Sequence, residues 1–286
     1  MIYIIIPVFN RLHFTIECLD SLRRQTITGY TIIIADDGST DGTFEHLRRY
    51  YPEVVIVQGD GTLWWAGATN AGVKKAMTLS RDPAYDFILT LNNDLVVKEG
   101  YLGNLIELAK SNPSSLIGSL SVDINQPEKI HYAGTRWNSK TARYRPSHTG
   151  STVYKDLKKE TSSIPTDLLP GRGVLIPVRV FKEIGFYDEE TFPHYMADED
   201  FSLRARKAGY TLLVATKAVV YNHIDETGLK EKKRNFNYYK SVFTSMKSAT
   251  NTRYRWNWAR KHATIFPPVY FTIDLLRILK SLIAKG

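Results

Sequence analysis

The residues best suited to chemistry in this chain are carboxylates placed where predicted strands end. Asp94 lies in the stretch Asp86–Val97, DFILTLNNDLVV, where Phe87, Ile88, Leu89 and Leu91 read as a buried central strand. The run then breaks into Asn92, Asn93 and Asp94, small polar residues that a sheet interior does not hold cheaply. The carboxyl end of a central strand is where open α/β sheets bind ligands. A carboxylate there suits a hard divalent cation, and such a cation suits a diphosphate. Taken alone, the same stretch is equally a strand followed by an Asn-rich turn.

Two further acidic groups and a histidine complete the set. Asp36-Asp37 ends the apolar strand Tyr30–Ala35 and runs into Gly38-Ser39-Thr40-Asp41-Gly42, a turn with Ser39 or Asp41 available as a helix cap. Asp198-Glu199-Asp200 opens an amphipathic helix carrying Phe201, Leu203, Ala205 and Ala208 and ended by Gly209. Carboxylates favour a helix N-terminus, but three in a row exceed what capping requires. The strand Thr211–Tyr221 delivers His223.

The elements that must position these groups alternate. A strand at Tyr3–Ile6 is followed by a helix at Arg11–Gln25, with Leu12, Ile16, Leu19 and Leu22 at helical spacing. Strand Tyr30–Ala35, a helix with Phe44 and Leu47, strand Val54–Val57 and helix Ala66–Leu79 lead back to Phe87. This order predicts an α/β fold with a parallel sheet and right-handed crossovers, a Rossmann-like nucleotide-binding half. It is not a dehydrogenase or P-loop half: the first strand runs into PVFN, the GxGxxG pattern fails at Trp64, and no Walker sequence occurs. Beyond Asp94 the pattern predicts a helix at Tyr101–Ala109, a strand at Leu116–Val122 and hairpin material at Ile130–Arg145. Thr149–Pro165 reads as a polar irregular loop, and Gly171–Pro177 as a glycine turn feeding a strand.

Composition bounds the class. The 286 residues are 43% hydrophobic and 23% charged, the balance of an ordinary globular protein with a substantial core. One cysteine, Cys18, excludes a disulfide framework and makes a reducing compartment the default. The apolar start MIYIIIPVFN is too short for a signal peptide and lacks a charged leader, and no run of about eighteen apolar residues is present. The charge of +9 is uneven: residues 228–286 carry +11, so the body is close to neutral. That asymmetry points to an anionic partner for the tail, a membrane surface or a nucleic acid.

Four separated segments in this order resemble glycosyltransferase family 2: IIIPVFNR, IIIADDGSTDGT, TLNNDLVV and DEDFSLRARKAGY, spanning roughly residues 2–227. The resemblance implies the GT-A fold, one mixed sheet with a nucleotide-sugar-binding half (1–98) and an acceptor-binding half (99–227), followed here by a basic amphipathic helical region (228–286). It implies an inverting transfer of sugar from a nucleoside diphosphate, with Mg²⁺ or Mn²⁺ as cofactor. By the same resemblance Pro7, Val8, Phe9 and Asn10 meet the nucleobase, and Asp37, beside Asp36, accepts from the base's imide N–H. Asn70 lies close to the nucleotide, and Asn92 and Asn93 line the donor. The usual Asp-x-Asp metal motif is Asn92-Asn93-Asp94 here, so one charged ligand is missing; Asp94 keeps the metal position and His223 follows it as a metal or diphosphate contact. Asp198 aligns with the catalytic base and Asp200 with a second acidic position. A carboxylate in reach of the acceptor hydroxyl takes its proton as the new bond forms, and Arg172 supports the leaving diphosphate.

The segments GDGTLWWAGATNAG and GRGVLIP resemble the bacterial rhamnosyltransferase-like branch, which builds cell-surface polysaccharides. Trp64 and Trp65 then offer apolar faces to a sugar or a thymine ring. The expected donor is dTDP-rhamnose, with UDP-sugars next, and the expected acceptor a saccharide or a lipid-linked saccharide. In the tail, RYRWNWARKH and IDLLRILKSLIAK mix cations with apolar residues, which suits peripheral attachment to the cytoplasmic face of the inner membrane. The competing reading packs Leu275, Leu276, Ile278 and Leu282 on the body or in a homodimer contact. Two other functions compete: a nucleic-acid-binding module, suggested by a pI near 9.4, and a catalytically silent nucleotide-sugar binder, suggested by the missing metal aspartate. No nucleic-acid partner is expected, because that reading leaves Asp37, Asp94 and Asp198 without purpose.

Overall fold

The computed structural model describes residues 1–224 and 236–284. The expected boundary at 227/228 and the terminal Lys285 lie outside the described residues. The chain opens as expected: β1 (Ile2–Val8), α1 (Leu12–Arg23), β2 (Tyr30–Asp36), α2 (Thr43–Tyr50), β3 (Val55–Gln58), α3 (Trp64–Leu79) and β4 (Phe87–Thr90). β1 pairs parallel with both β2 and β4, and β2 with β3. An almost uninterrupted apolar strand such as β1 suits this central place, because helices cover both faces of it. Its alternate residues divide cleanly: Tyr3 and Ile5 face one core, Ile2, Ile4 and Ile6 the other.

The second half adds β5 (Leu95–Val97), α4 (Tyr101–Ser111), β6 (Ser115–Asp123), β7 (Gln126–Tyr132), β8 (Thr135–Trp137) and β9 (Tyr144–Pro146). α5 (Tyr154–Glu160), β10 (Ser163–Pro165), β11 (Val174–Pro177), α6 (Val178–Ile184), α7 (Ala197–Lys207) and β12 (Thr211–Asn222) follow. The main sheet runs β10-β12-β6-β11-β4-β1-β2-β3, with β5 on β12 and β7 on β6. β11 is antiparallel to its neighbours β4 and β6, which makes the sheet mixed. β11 therefore stitches the two expected halves into one sheet.

Two local expectations are corrected. Thr149–Pro165 is not irregular throughout: α5 buries Leu157, and β10 pairs with the edge of β12. The sheet edge organises a segment whose own composition carries little signal. α2 begins at Gly42, whose φ of 83° is left-handed, rather than at Ser39 or Asp41. Asp41 instead accepts from Thr43 N at 3.2 Å and, through its other oxygen, from Leu12 N at 2.9 Å, tying α1 to α2.

The tail forms α8 (Phe236–Thr244), α9 (Thr252–His262) and α10 (Pro267–Ala284). α9 packs on the body: Tyr254, Arg255, Trp258 and His262 are all buried, and Trp137 lies edge-on to Trp258 at 5.4 Å. Arg255 pairs bidentately with Asp274 of α10 in a buried contact. The aromatic-cationic run read as a binding tail is thus largely core.

Candidate active site

The site forms where the carboxyl ends of β1, β2 and β4 meet the turn before β11 and the start of α7. At the end of β1, Val8 O accepts from Asp37 N at 2.8 Å, and Phe9 stands 55% exposed just past the strand. Asn10 and Arg11 both take left-handed φ, 59° and 64°, an unusual conformation for side chains other than Asn. The bend is locked by Asn10 N donating to Ser39 Oγ (2.7 Å) and Thr40 N donating to Asn10 Oδ1 (2.8 Å). It aims Arg11 at Asp94, with Nη1 3.6 Å from Oδ2. Asp36 accepts from Ser39 N at 3.0 Å and is buried. Asp37 accepts from Gly61 N (2.9 Å) and Leu63 N (3.2 Å) through Oδ1 and from Trp64 N (3.0 Å) through Oδ2. It draws the loop between β3 and α3 over the sheet, and its Oδ2 keeps capacity for one more donor.

Asp94 is 6% exposed. Burial pushes its carboxyl above the usual range, against the pull of Arg11, Arg172 and His223. His223 N donates to Asp94 O at 3.4 Å, and its Nε2 lies 2.8 Å from Glu17 Oε2. Among the described residues no three His, Cys, Asp or Glu side chains gather as a metal cage. A single carboxylate suits a cation such as Mg²⁺ that takes most of its shell from substrate phosphates and water, while the His223 imidazole is turned to Glu17.

Asp198 sits in the first turn of α7, behind Met196 in left-handed φ (72°). Its Oδ2 accepts from Gly171 N at 2.8 Å and its Oδ1 from Glu199 N at 2.9 Å. Burial raises its affinity for a proton even so. Arg172 lies in the turn before β11, between Gly171, whose N–H donates to Asp198, and Gly173, whose N–H donates to Thr90 O at the end of β4 (2.8 Å). Glu199, which sequence reasoning passed over, is pushed up to about 7 by burial and by the neighbouring Asp198, with Arg255 pulling the other way. The only signal for it was its place in the middle of the acidic triplet.

Asp200 is fully buried: Arg204 Nε (2.8 Å), His262 Nε2 (2.8 Å) and Lys261 Nζ (2.7 Å) surround it. Burial alone would raise its carboxyl, but the hydrogen bonds from His262, Lys261 and Arg204 hold it at about 2. It anchors α9 to the helix that carries Asp198. Asn70 is engaged likewise. Its amide donates to Tyr187 O and Glu189 Oε2 and accepts from Tyr187 N, leaving it 1% exposed and braced against the 187–189 turn.

The two tryptophans part ways. Trp65 donates from Nε1 to Asn92 Oδ1 at 3.0 Å and packs beneath Gly171, so close that a Cβ there would meet its ring at 2.1 Å. It is a support of the site rather than a sugar platform, and Asn92 is spent on holding it. Trp64 takes a left-handed φ of 56° and meets His194 edge-on at 5.8 Å, still partly open. Asn93 donates to Thr15 Oγ1 at 3.0 Å, pinning the strand-end turn to α1.

Comparison with known proteins now bears on this arrangement. The family model described as Glycosyl transferase family 2 matches residues 3–184. The chain belongs to glycosyltransferase family 2. The N-acetylglucosaminyl-diphospho-decaprenol L-rhamnosyltransferase of Mycobacterium tuberculosis is 27% identical over 218 residues, covering 72% of this chain and 70% of that protein. The uncharacterized glycosyltransferase YwdF of Bacillus subtilis is 26% identical over 226 residues, 78% of this chain and 75% of its own length. Among solved structures, GalNAc-T7 with UDP, GalNAc and Mn²⁺ superposes with a TM-score of 0.64 at 17% identity, over 96% of this chain and 54% of that one. The mannosyltransferase PcManGT of Pyrobaculum calidifontis, with GDP-Man and Mn²⁺, gives 0.56 at 13% identity, over 96% and 67%. This chain thus spans about half the length of the GalNAc-T7 chain. The mixed sheet with its C-terminal helices is the GT-A fold, and this family 2 protein is a glycosyltransferase.

Proposed function

We propose that this glycosyltransferase moves a sugar, with inversion, from a nucleoside-diphosphate donor to a saccharide or lipid-linked acceptor in bacterial cell-surface polysaccharide synthesis. dTDP-rhamnose is the favoured donor and a UDP-sugar the next. The similarity to a rhamnosyltransferase whose name contains a diphospho-decaprenol acceptor supports the donor and the lipid-linked acceptor. The observation that carries the reading is the turn of Gly171, Arg172 and Gly173, which donates to Asp198 on one side and to Thr90 O, at the strand end that leads to buried Asp94, on the other.

In this reading the end of β1 and Asp37 hold the base, and Arg11 and Arg172 face the diphosphate. Asp94 and His223 would hold Mg²⁺ or Mn²⁺, which when bound offsets charge on the departing diphosphate. Asp198, oriented by Gly171 N–H, accepts the proton of the acceptor hydroxyl as that oxygen attacks the anomeric carbon from the face opposite the leaving group. One displacement inverts the anomeric centre. Trp64 borders the sugar side. The halves 1–98 and 99–227 serve donor and acceptor, and the enzyme works at the cytoplasmic face of the membrane. Arg255, Trp258 and Lys261 are engaged within the protein and so do not serve the alternative nucleic-acid reading.

The test is nucleotide release from dTDP-rhamnose and UDP-glucose with a polyprenyl-diphospho-N-acetylglucosamine acceptor. Acceptor-dependent release is expected, and Asp198→Asn should lower it at least ~10²-fold with nucleotide affinity kept. Absence of release from both donors, or near-normal turnover in the variant, overturns the reading.

A further inference from the structure

α10 has two apolar sides, and the protein covers one of them. Tyr270, Asp274 and Ile278 lie along the buried side, where Tyr270 Oη accepts from Trp137 Nε1 and Asp274 meets Arg255 and Arg277. The opposite side shows Val269, Leu276, Leu279 and Ile283, exposed by 50, 61, 44 and 81%, with Phe266 at 69% just before the helix. At about 3.6 residues per turn the four helical residues fall in one stripe along the axis, with Thr272 within it and Lys280 on its border. Scattered exposed apolar residues are ordinary on a protein surface; a continuous row on one helix is not.

We propose that this outer stripe of α10 seats the protein in the plane of an anionic lipid surface. Charge decides between the occupants. Residues 228–286 carry +11, and the exposed Lys280 borders the stripe. At a bilayer interface a lysine extends its ammonium to the headgroups while its stem lies with the apolar row. In a two-fold contact between copies, Lys280 would be brought to the edge of an apolar seam. Among the described residues no helix is long and apolar enough to cross a membrane, so the contact lies along the surface.

The seat is joined to the chemistry. The inner side of α10 is bound through Arg255 to α9, and α9 reaches the catalytic helix through His262–Asp200 (2.8 Å) and Lys261–Asp200 (2.7 Å). A lipid surface under the stripe therefore stands in a fixed relation to Asp198. The proposal rests on the transferase reading only in giving this placement a purpose, the presentation of a lipid-linked acceptor.

The test sediments the full chain with vesicles of phosphatidylcholine alone or mixed with phosphatidylglycerol, at low and high salt. The chain should sediment with the anionic vesicles at low salt and lose this in high salt. Leu276→Glu with Ile283→Glu should weaken binding about ten-fold or more. Its melting temperature and nucleotide affinity should match the parent, since both side chains point outward. Equal sedimentation of parent and variant overturns the proposal, as does failure of the parent to sediment. A parent dimer in light scattering that the variant converts to monomer also overturns it and assigns the stripe to a second copy. Nucleotide release with a soluble acceptor reads the transferase separately, so failure of one reading is distinguishable from failure of the other.

Discussion

Gly171 N donates to Asp198 Oδ2 at 2.8 Å, while the other side of Gly171 rests on the ring of Trp65. The glycine is thus clasped between a tryptophan and the proposed base. A methyl group here has nowhere to go, because the nearest atoms belong to a ring tied to Asn92. Gly171→Ala should cost about 1–3 kcal/mol of stability by overpacking. It should also lower turnover more than nucleotide affinity, since the displaced N–H no longer orients Asp198. Thermal melts and steady-state kinetics check this; a variant with parental turnover would contradict the orienting role.

Glu199 gives the site a titration near neutrality, at about 7. Because Asp198 and Glu199 repel as anions, ionisation of Glu199 makes Asp198 a stronger base. The pH profile of kcat/KM should therefore bend near pH 7, and Glu199→Gln should remove the bend. The stability sign is fixed as well. A carboxyl raised above its unfolded value binds its proton more tightly in the folded state, so stability falls as pH rises from about 4.5 to about 7. Glu199→Gln should melt higher than the parent at pH 8 and close to it at pH 4.5. A bend that survives the substitution contradicts this assignment.

Asp200 has the opposite sign. Held at about 2, it contributes stability that is present above the ordinary aspartate range and is lost as pH falls through its folded value. Asp200→Asn should cost about 3–5 kcal/mol at pH 7, because Arg204 and Lys261 lose a buried counter-charge. The gap between parent and variant should close towards pH 2. Denaturant melts across that range check it, and a variant as stable as the parent at pH 7 contradicts the anchoring role.

The legible parts of the molecule were those with local causes. β1, β2 and β4 are short apolar runs cut by small polar residues, and α7 is announced by its acidic first turn and by Gly209, so their order and type followed from periodicity. What stayed hidden depended on partners far away in sequence. Asn70 and Asp200 are polar residues of the right type in the right place, yet side chains 119 and 62 residues away claim them. α5 and β10 exist because β12 offers an edge. The tail's aromatic and basic residues looked like a binding surface, but burial of Trp258 and Arg255 is a property of the packed fold, visible only once α9 meets α7. Arg11 escaped notice because its direction comes from two consecutive left-handed residues locked by Ser39 and Thr40.

The most direct measurement is calorimetric titration of the full chain and of Asp94→Asn with dTDP, UDP and GDP, each with Mn²⁺ and again with EDTA. The account predicts that the parent binds dTDP most tightly and loses at least about ten-fold in affinity with EDTA. It predicts that Asp94→Asn binds weakly and no longer responds to Mn²⁺. A parent that binds none of the three nucleotides under either condition would contradict the account at its centre.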